Sequence, residues 1–350
     1  MIFTGDIAQP YVGAFSITIP KELINNNWLG NLEGSLIDAR GKNGSLKGVY
    51  NDVEAIEELC KQIPFKAFNI ANNHLLDNAE VKITLDNVKR LGIPVVGAGQ
   101  NLQEAQKSIV ITDSDGVSYR ILAFGWENIQ CEPAGKNKQG VNPYTKKNVL
   151  KCVHQALKEK EPVICFMHWD FELEQYPMPL DRSLSHELID LGVSAIVGCH
   201  GHRVQQIEFY KDRPIVYGMG NFLFRQGVYY DGKLKYPALS NEEWAFEING
   251  NRQFLLHRFE YDNNSHNLKY IGEETLSPPK MYYGKAPYND YNNEDYLNFF
   301  RKNRKVNKLL PIFTHRESAV SYWMKSGWIK MRGWLLDTAQ NLKLKSANRG

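Results

Sequence analysis

A chain of 350 residues with 43% apolar composition can bury a substantial core, so a disordered tail is excluded. With 23% charged residues and a formal net charge of +3, the molecule as a whole is neither a basic nucleic-acid glove nor an acidic solvating segment. The charge is unevenly spread: residues 301–350 hold twelve Lys and Arg against only Glu317 and Asp337, which leaves the first 300 residues at about −7.

In chain order, short β-branched and aromatic runs at residues 2–4, 67–71, 95–97, 108–112, 119–124, 163–167, 195–198 and 215–217 read as strands, and segments of helical period lie between them. The clearest helix spans about 52–62, where Asn51 or Asp52 can cap the free amides and Ile56, Leu59, Cys60 and Ile63 form an apolar face. Two more, at 81–91 and 183–191, end at Gly92 and Gly192, each suited to a left-handed C-terminal position. Turns at 113–116, 211–214 and 249–251 add hairpins, so the sheet is expected to be mixed. The pattern breaks near Leu276-Ser277-Pro278-Pro279, and a Tyr/Asn-rich stretch leads into a basic helical tail; this predicts a main domain over 1–275 and an extension over 276–350.

Five cysteines without CxxC pairs read as reduced, mostly buried thiols, with Cys165 in the core and Cys199 beside the candidate site. No basic n-region or long apolar h-region follows Met1, and no 18-residue apolar run is present, so a cytoplasmic chain, peripheral to a membrane at most, is expected.

Five segments place a metal-capable side chain just after an apolar run: Gly5-Asp6, Asn31-Leu32-Glu33, Asn72-Asn73-His74, His168-Trp169-Asp170 and Gly198-Cys199-His200-Gly201-His202. Ligand sites in open α/β sheets gather beyond the carboxyl ends of strands, so these segments can converge. Imidazoles at His168, His200 and His202, carboxylates at Asp6 and Glu33 and the amide oxygen of Asn73 form the mixture that holds one or two Mn, Fe or Zn ions in a hydrolytic site. Glu33 is the candidate bridge in a two-ion arrangement. Each segment alone has a plainer reading: turn residue, N-cap, paired surface histidines or helix-capping loop. The histidines at 154, 186, 257, 266 and 315 read as structural or solvated, without partners.

The order GD, NLE, ANNHLLD, HWDFE, GCHGH and YGMGNF resembles the CapA family, named for poly-γ-glutamate capsule synthesis, within the calcineurin-like phosphoesterase superfamily. The resemblance covers about the first three quarters of the chain. It implies a four-layer α/β/β/α sandwich with mixed sheets, followed by the C-terminal helical extension. It also implies that Asp6 and His202 serve one ion, that Asn73, His168 and His200 serve the other, and that Glu33 joins them. By the same resemblance His74 protonates the leaving group or steadies phosphoryl oxygens, a role suited to imidazole near neutral pH, with Asp77 orienting it. Glu172 is implied as a supporting or substrate-contacting group, Asn221 as a hydrogen-bonding support, and Asn31 shares that outer role. Two departures stand out. The Asp6-Ile7-Ala8 segment lacks the His of the superfamily's DxH motif, and Asp170 stands where the branch usually has Gly; there it could bind metal, repel anions or face solvent.

The expected function is a metal-dependent hydrolase, first of a small-molecule or polymer phosphoester, in capsule or cell-envelope polymer synthesis. The alternatives are an amide hydrolase on a poly-γ-glutamate-like polymer and a non-catalytic, metal-stabilised scaffold. In the tail, Val320, Met324, Gly327, Trp328, Met331 and Leu335 form an apolar stripe at helical spacing beside Lys325, Lys330 and Arg332. Packing on its own domain is the plain expectation for such a helix; with Trp323, Trp328 and Trp334 it also fits a membrane surface or a protein partner through 301–350. Nucleic acid is not expected, since no recognised module accompanies the charge.

Overall fold

The computed structural model describes residues 1–13, 15–41, 46–250, 253–278 and 288–341. Besides shorter pieces, the chain runs β1 (Ile2–Ala8), β2 (Trp28–Leu32), α1 (Val53–Gln62), β3 (Phe65–Asn69), α2 (Val81–Arg90), β4 (Val95–Val96), β5 (Ile109–Thr112) and β6 (Ser118–Gly125). It continues through α3 (Lys146–Ala156), β7 (Val163–His168), α4 (Pro179–Leu191), β8 (Ala195–Cys199), β9 (Ile207–Tyr210), β10 (Arg213–Val216) and β11 (Asn221–Phe224). Three long antiparallel strands follow, β12 (Glu242–Ile248), β13 (Phe254–Asp262) and β14 (Asn267–Leu276), and then α5 (Asn293–Asn303) and α6 (Ala319–Asn341).

Among the described residues, one sheet has nine strands, ordered Ser16–Thr18, β14, β13, β12, β1, β2, β3, β4, with β11 pairing beside β1; the other has six, ordered β9, β10, β8, β7, β6, β5. Both are mixed. The strands that carry the candidate site, β1, β2, β3 and β11 in one sheet and β7 and β8 in the other, pair in parallel. Parallel strands covered on both faces need unbroken apolar runs, and β7 and β8 are buried along their whole length. The sheets pack face to face, with Phe3 of β1 edge-on to Phe166 of β7 at 5.7 Å between ring centres. Helices α1 and α2 cross over within the first sheet, and α3 and α4 flank the second, which yields the expected α/β/β/α layering.

Local chemistry explains the helix ends. The Asp52 side chain accepts from the amides of Glu54 and Ala55, so α1 starts where a cap was expected. Helix α4 begins at Pro179, four residues before the expected start, because proline suits the first helical position, and it stops at Gly192 with φ 116°. The two-residue turn Lys211-Asp212 joins β9 to β10 with both residues at positive φ, the conformation that matches the twist of a hairpin.

The last strand ends at Leu276, where the sequence pattern breaks. The expected Tyr282-Tyr283 segment and residues 342–350 lie outside the described residues. Beyond them, α5 packs on α4, and Tyr288, Tyr296, Phe300 and Phe313 enter the main core. Helix α6 turns Tyr322 and Ile329 inward. The stripe expected to pack on the domain does the reverse: Val320, Met324, Trp328, Met331 and Leu335 are exposed, because the opposite face of the helix is the one that docks. Among the described residues no helix is long and apolar enough to cross a membrane.

Candidate metal centre

The carboxyl ends of β1, β2, β3, β7 and β8 bring together Asp6, Glu33, Asn73, His168, His200 and His202. All but Asn73 are buried. Asp6 lies in β1 opposite Asn31 of β2 and Asn221 of β11. Gly5 permits this approach, since a Cβ there would sit 1.9 Å from the carbonyl oxygen of Gly220. The Asp6 carboxylate accepts from Asn31 Nδ2 at 2.8 Å and from the His200 amide at 3.0 Å. That second bond requires an unusual backbone: His200 has φ 94° and His202 φ 48°, strain of a kind that clusters at functional sites.

Ligand-capable atoms then fall into overlapping groups. Asp6, Glu33 and His202 form one, Glu33, His168 and His200 a second, and Asp6, His168 and Cys199 a third; within each, one atom per residue lies within 4.8 Å of the others. Glu33 is shared by the first two. His202 Nε2 stands 3.8 Å from Glu33 Oε1 and its Nδ1 stands 3.6 Å from Asp6 Oδ2, while His168 Nε2 lies 2.7 Å from Asn73 Oδ1. His74 approaches from the rim, with Nδ1 2.6 Å from Asp77 Oδ2 and Nε2 3.8 Å from Glu33 Oε1.

Both Glu33 oxygens, His200 Nδ1 and His202 Nε2 are buried with no hydrogen-bond partner. An orphaned buried polar atom costs about 1–3 kcal/mol, so four in one cluster are expensive unless something else binds them. Nitrogen and carboxylate oxygen donors at these separations match a divalent cation of the Mn, Fe or Zn kind. The residues therefore fit such an ion.

Electrostatics point the same way. Burial raises the Asp6 carboxyl to about 7, its bonds to the His200 amide and Asn31 notwithstanding. Burial, then the charges of Asp6, Glu172 and Asp77, push Glu33 well above the carboxylate range. Burial lowers His202 to about 3, and burial with neighbouring imidazoles lowers His168 and His200 as well. The imidazoles are thus neutral, with His200 Nδ1 and His202 Nε2 free to ligate, while two carboxylates are crowded together without a counter-charge.

Outer residues hold this arrangement. Asn221 Oδ1 is 2.8 Å from His202 Nδ1, which aims Nε2 at Glu33, and Tyr236 stacks on the same imidazole at 4.1 Å. Asn69 donates to Asn31, and Asn72 accepts from the amides of Gly34 and His74; neither had been singled out for these roles, although Asn69, a polar residue inside an apolar strand, carried a signal. Gly48, also not anticipated, has φ 64°, and a Cβ there would lie 1.8 Å from Asp77 Oδ2, so only glycine leaves Asp77 beside His74. The Glu172 charge contributes to raising Asp6 and Glu33, and its carbonyl accepts from Asn307 Nδ2.

Asp170 does not join the cluster. It neither ligates nor faces solvent: it is buried, its carboxylate accepting from the Phe171 amide and Gln205 Nε2. Its φ of 63° explains the glycine expected at this position. Cys199 does come close, with Sγ 3.3 Å from His168 Nδ1, but burial and the charges of Asp6 and Glu33 push its thiol well up, so it is a neutral neighbour. The expectation that the outlying histidines lack partners fails at all five: His186 bonds Glu208 and stacks on Tyr210, His257 bonds Glu247, His154 bonds the Leu150 carbonyl, His266 bonds Tyr261 Oη, and His315 Nε2 lies 3.5 Å from Glu294.

Known proteins match this chain over about half its length. It is 33% identical over 172 residues to the PGA biosynthesis protein CapA of Bacillus subtilis (strain 168), covering 49% of this chain and 45% of that one. It is 30% identical over 207 residues to the capsule biosynthesis protein CapA of Bacillus anthracis, covering 57% and 50%. A probable polyglutamine synthesis accessory protein of Mycobacterium tuberculosis (strain ATCC 25618 / H37Rv) is 31% identical over 170 residues, covering 43% of each chain. The chain spans about half the length of the curated relatives it matches. Residues 21–226, which include every candidate ligand except Asp6, match the family described as bacterial capsule synthesis protein PGA_cap, and the chain belongs to that family.

Proposed function

We propose that this chain is a metal-dependent hydrolase acting in the synthesis of a capsule or cell-envelope polymer, with a phosphoester as the bond cleaved. The observation that carries the reading is the convergence of the partnerless Glu33 carboxylate, His200 Nδ1 and His202 Nε2 with Asp6, His168 and Asn73. The names of its Bacillus relatives support the polymer context.

Asp6, Glu33, Asn73, His168, His200 and His202 would hold divalent ions, which when bound would supply Lewis-acid activation of water and of the electrophile's oxygen. The chain's own residues do the rest. Glu33, shared between the two ligand groups, and Asp6 provide the negative charge that fixes cations in a dry site. His74 has its Nδ1 committed to Asp77, which leaves Nε2, 3.8 Å from Glu33, to pass a proton to a leaving oxygen. Asp77, in turn, is held by the Val49 amide.

Metal analysis and a hydrolysis panel test the proposal. Protein supplied with Mn²⁺ is expected to turn over an aryl phosphodiester, and His168→Ala to lower that rate by about three orders of magnitude. Turnover of γ-glutamyl amides in place of the phosphodiester would move the reading to amide chemistry. Metal-replete protein inert toward both would leave a scaffold and overturn it.

A further inference from the structure

Helix α6 lies against the body through Tyr322 and Ile329, and Tyr322 Oη accepts from Trp126 Nε1 at 2.9 Å. Its outer face is apolar and uncovered: Trp323 is 75% exposed, Val320 68% and Trp334 65%, with Met324, Trp328, Met331 and Leu335 beside them. A contiguous apolar surface of this kind marks an interaction site.

The arrangement within the stripe says what kind. At about 100° per residue, Val320, Met331 and Met324 fall along its centre line. Trp323 and Trp334 flank them on one side, and Leu335 and Trp328 on the other. Lys330, ion-paired with Glu127, lies beyond the first edge, and beyond the second lie Arg332 and Lys325, the latter bound to Glu317 and the Ile312 carbonyl, so Arg332 is the cation of the three assigned to headgroups. The stripe from Val320 to Leu335 is about 22 Å long at 1.5 Å per residue. Aliphatic centre, indole rims and outer cations are the order in which a helix lying flat in a bilayer interface meets acyl chains, the interfacial zone and headgroups. A protein partner would need complementary acidic groups around the stripe; a bilayer needs only an anionic surface. The charge of the whole segment agrees, since twelve Lys and Arg in residues 301–350 oppose only Glu317 and Asp337. Leu309, 73% exposed, adds to the apolar patch, because its carbonyl accepts from Trp328 Nε1.

We propose that the outer face of α6 docks flat on an anionic lipid bilayer, lying in the interface without crossing it. This inference is independent of the hydrolytic reading, because none of these side chains belongs to the metal centre. The test is co-sedimentation of the full chain with vesicles of phosphatidylcholine alone or mixed with phosphatidylglycerol, with tryptophan emission followed in parallel. Binding is expected only to the mixed vesicles, with a blue shift and weakening as salt rises. Arg332→Ala should weaken it about fivefold. Trp323→Ser and Trp334→Ser should weaken it by at least about tenfold each while leaving the thermal unfolding midpoint of the lipid-free protein unchanged. Equal binding to both vesicle types, or none, overturns the proposal. So does lipid-free self-association that the two tryptophan substitutions abolish, which would assign the face to a second copy of the chain.

Discussion

Glu33 and Glu208 are both buried glutamates, yet they stand in opposite states. Glu208 accepts from Arg182 on both oxygens, lies 3.0 Å from His186 Nε2 and accepts from Tyr217 Oη at 2.6 Å. Burial raises its carboxyl, but His186, Arg182 and Tyr217 together hold it below the ordinary range. Glu33 has no partner on either oxygen and is pushed well up. A buried acid that the fold satisfies ties α4 to β9 and, through Arg182, to the carbonyls of Tyr288 and Tyr291. Glu33, with both oxygens unsatisfied, is in the state expected of a ligand for something outside the chain. Comparing them separates structure from function without reference to any relative.

The largest expected effect lies on the satisfied side. Glu208→Gln should destabilise the protein by about 3–5 kcal/mol in urea unfolding, because Arg182 is left buried without its charge partner, and metal affinity should not move. The pH sense follows: with the folded value below the unfolded one, Glu208's contribution is complete above about pH 4.3 and disappears as pH falls through the folded value. Acid unfolding should therefore begin at a higher pH in the variant. A variant as stable as the parent would remove the contrast.

On the unsatisfied side the signs reverse. Saturating Mn²⁺ at about a hundred times its Kd should stabilise the protein by about 2.7 kcal/mol, read as a shift in thermal unfolding. Glu33→Met removes two orphaned oxygens at similar volume and should stabilise the metal-free protein by about 1–3 kcal/mol while abolishing the Mn²⁺ shift. Because burial raises Asp6 to about 7 and raises Glu33 well above the ordinary carboxylate range, ion binding must release protons, so affinity should rise with pH through neutrality. Calorimetry in buffers of different ionisation enthalpy measures that release. The smallest effect belongs to the rim: Gly48→Ala displaces Asp77 from His74 and should lower turnover by about tenfold with metal content unchanged.

Much of this was legible in the amino-acid order, and the gaps have physical causes. Strands β7 and β8, buried on both faces, appear as unbroken apolar runs. Strand β2 is equally buried but was missed, because Trp28–Leu32 contains Gly30 and Asn31 and follows three asparagines, a composition that reads as loop. The candidate ligands could be picked out because each lies at or just beyond the end of a short apolar run. Asp170, two positions after His168, looked equivalent; its positive φ turns the carboxylate to Gln205, and residue type does not encode that direction. Periodicity found the α6 stripe but not which face would dock, since Tyr322 and Ile329 compete for the core from the opposite side. The orphaned state of Glu33 is a property of three strand ends at once and has no local signature.

The central claim is that Glu33, His168, His200 and His202 surround a divalent cation. Anomalous scattering from crystals grown with Mn²⁺ tests it most directly: the account predicts one or two peaks within ligand distance of Glu33, with His202 and Asp6 on one side and His168, His200 and Asn73 on the other. Crystals soaked to saturation that show no peak there, or show Mn²⁺ only at surface carboxylates, would contradict it.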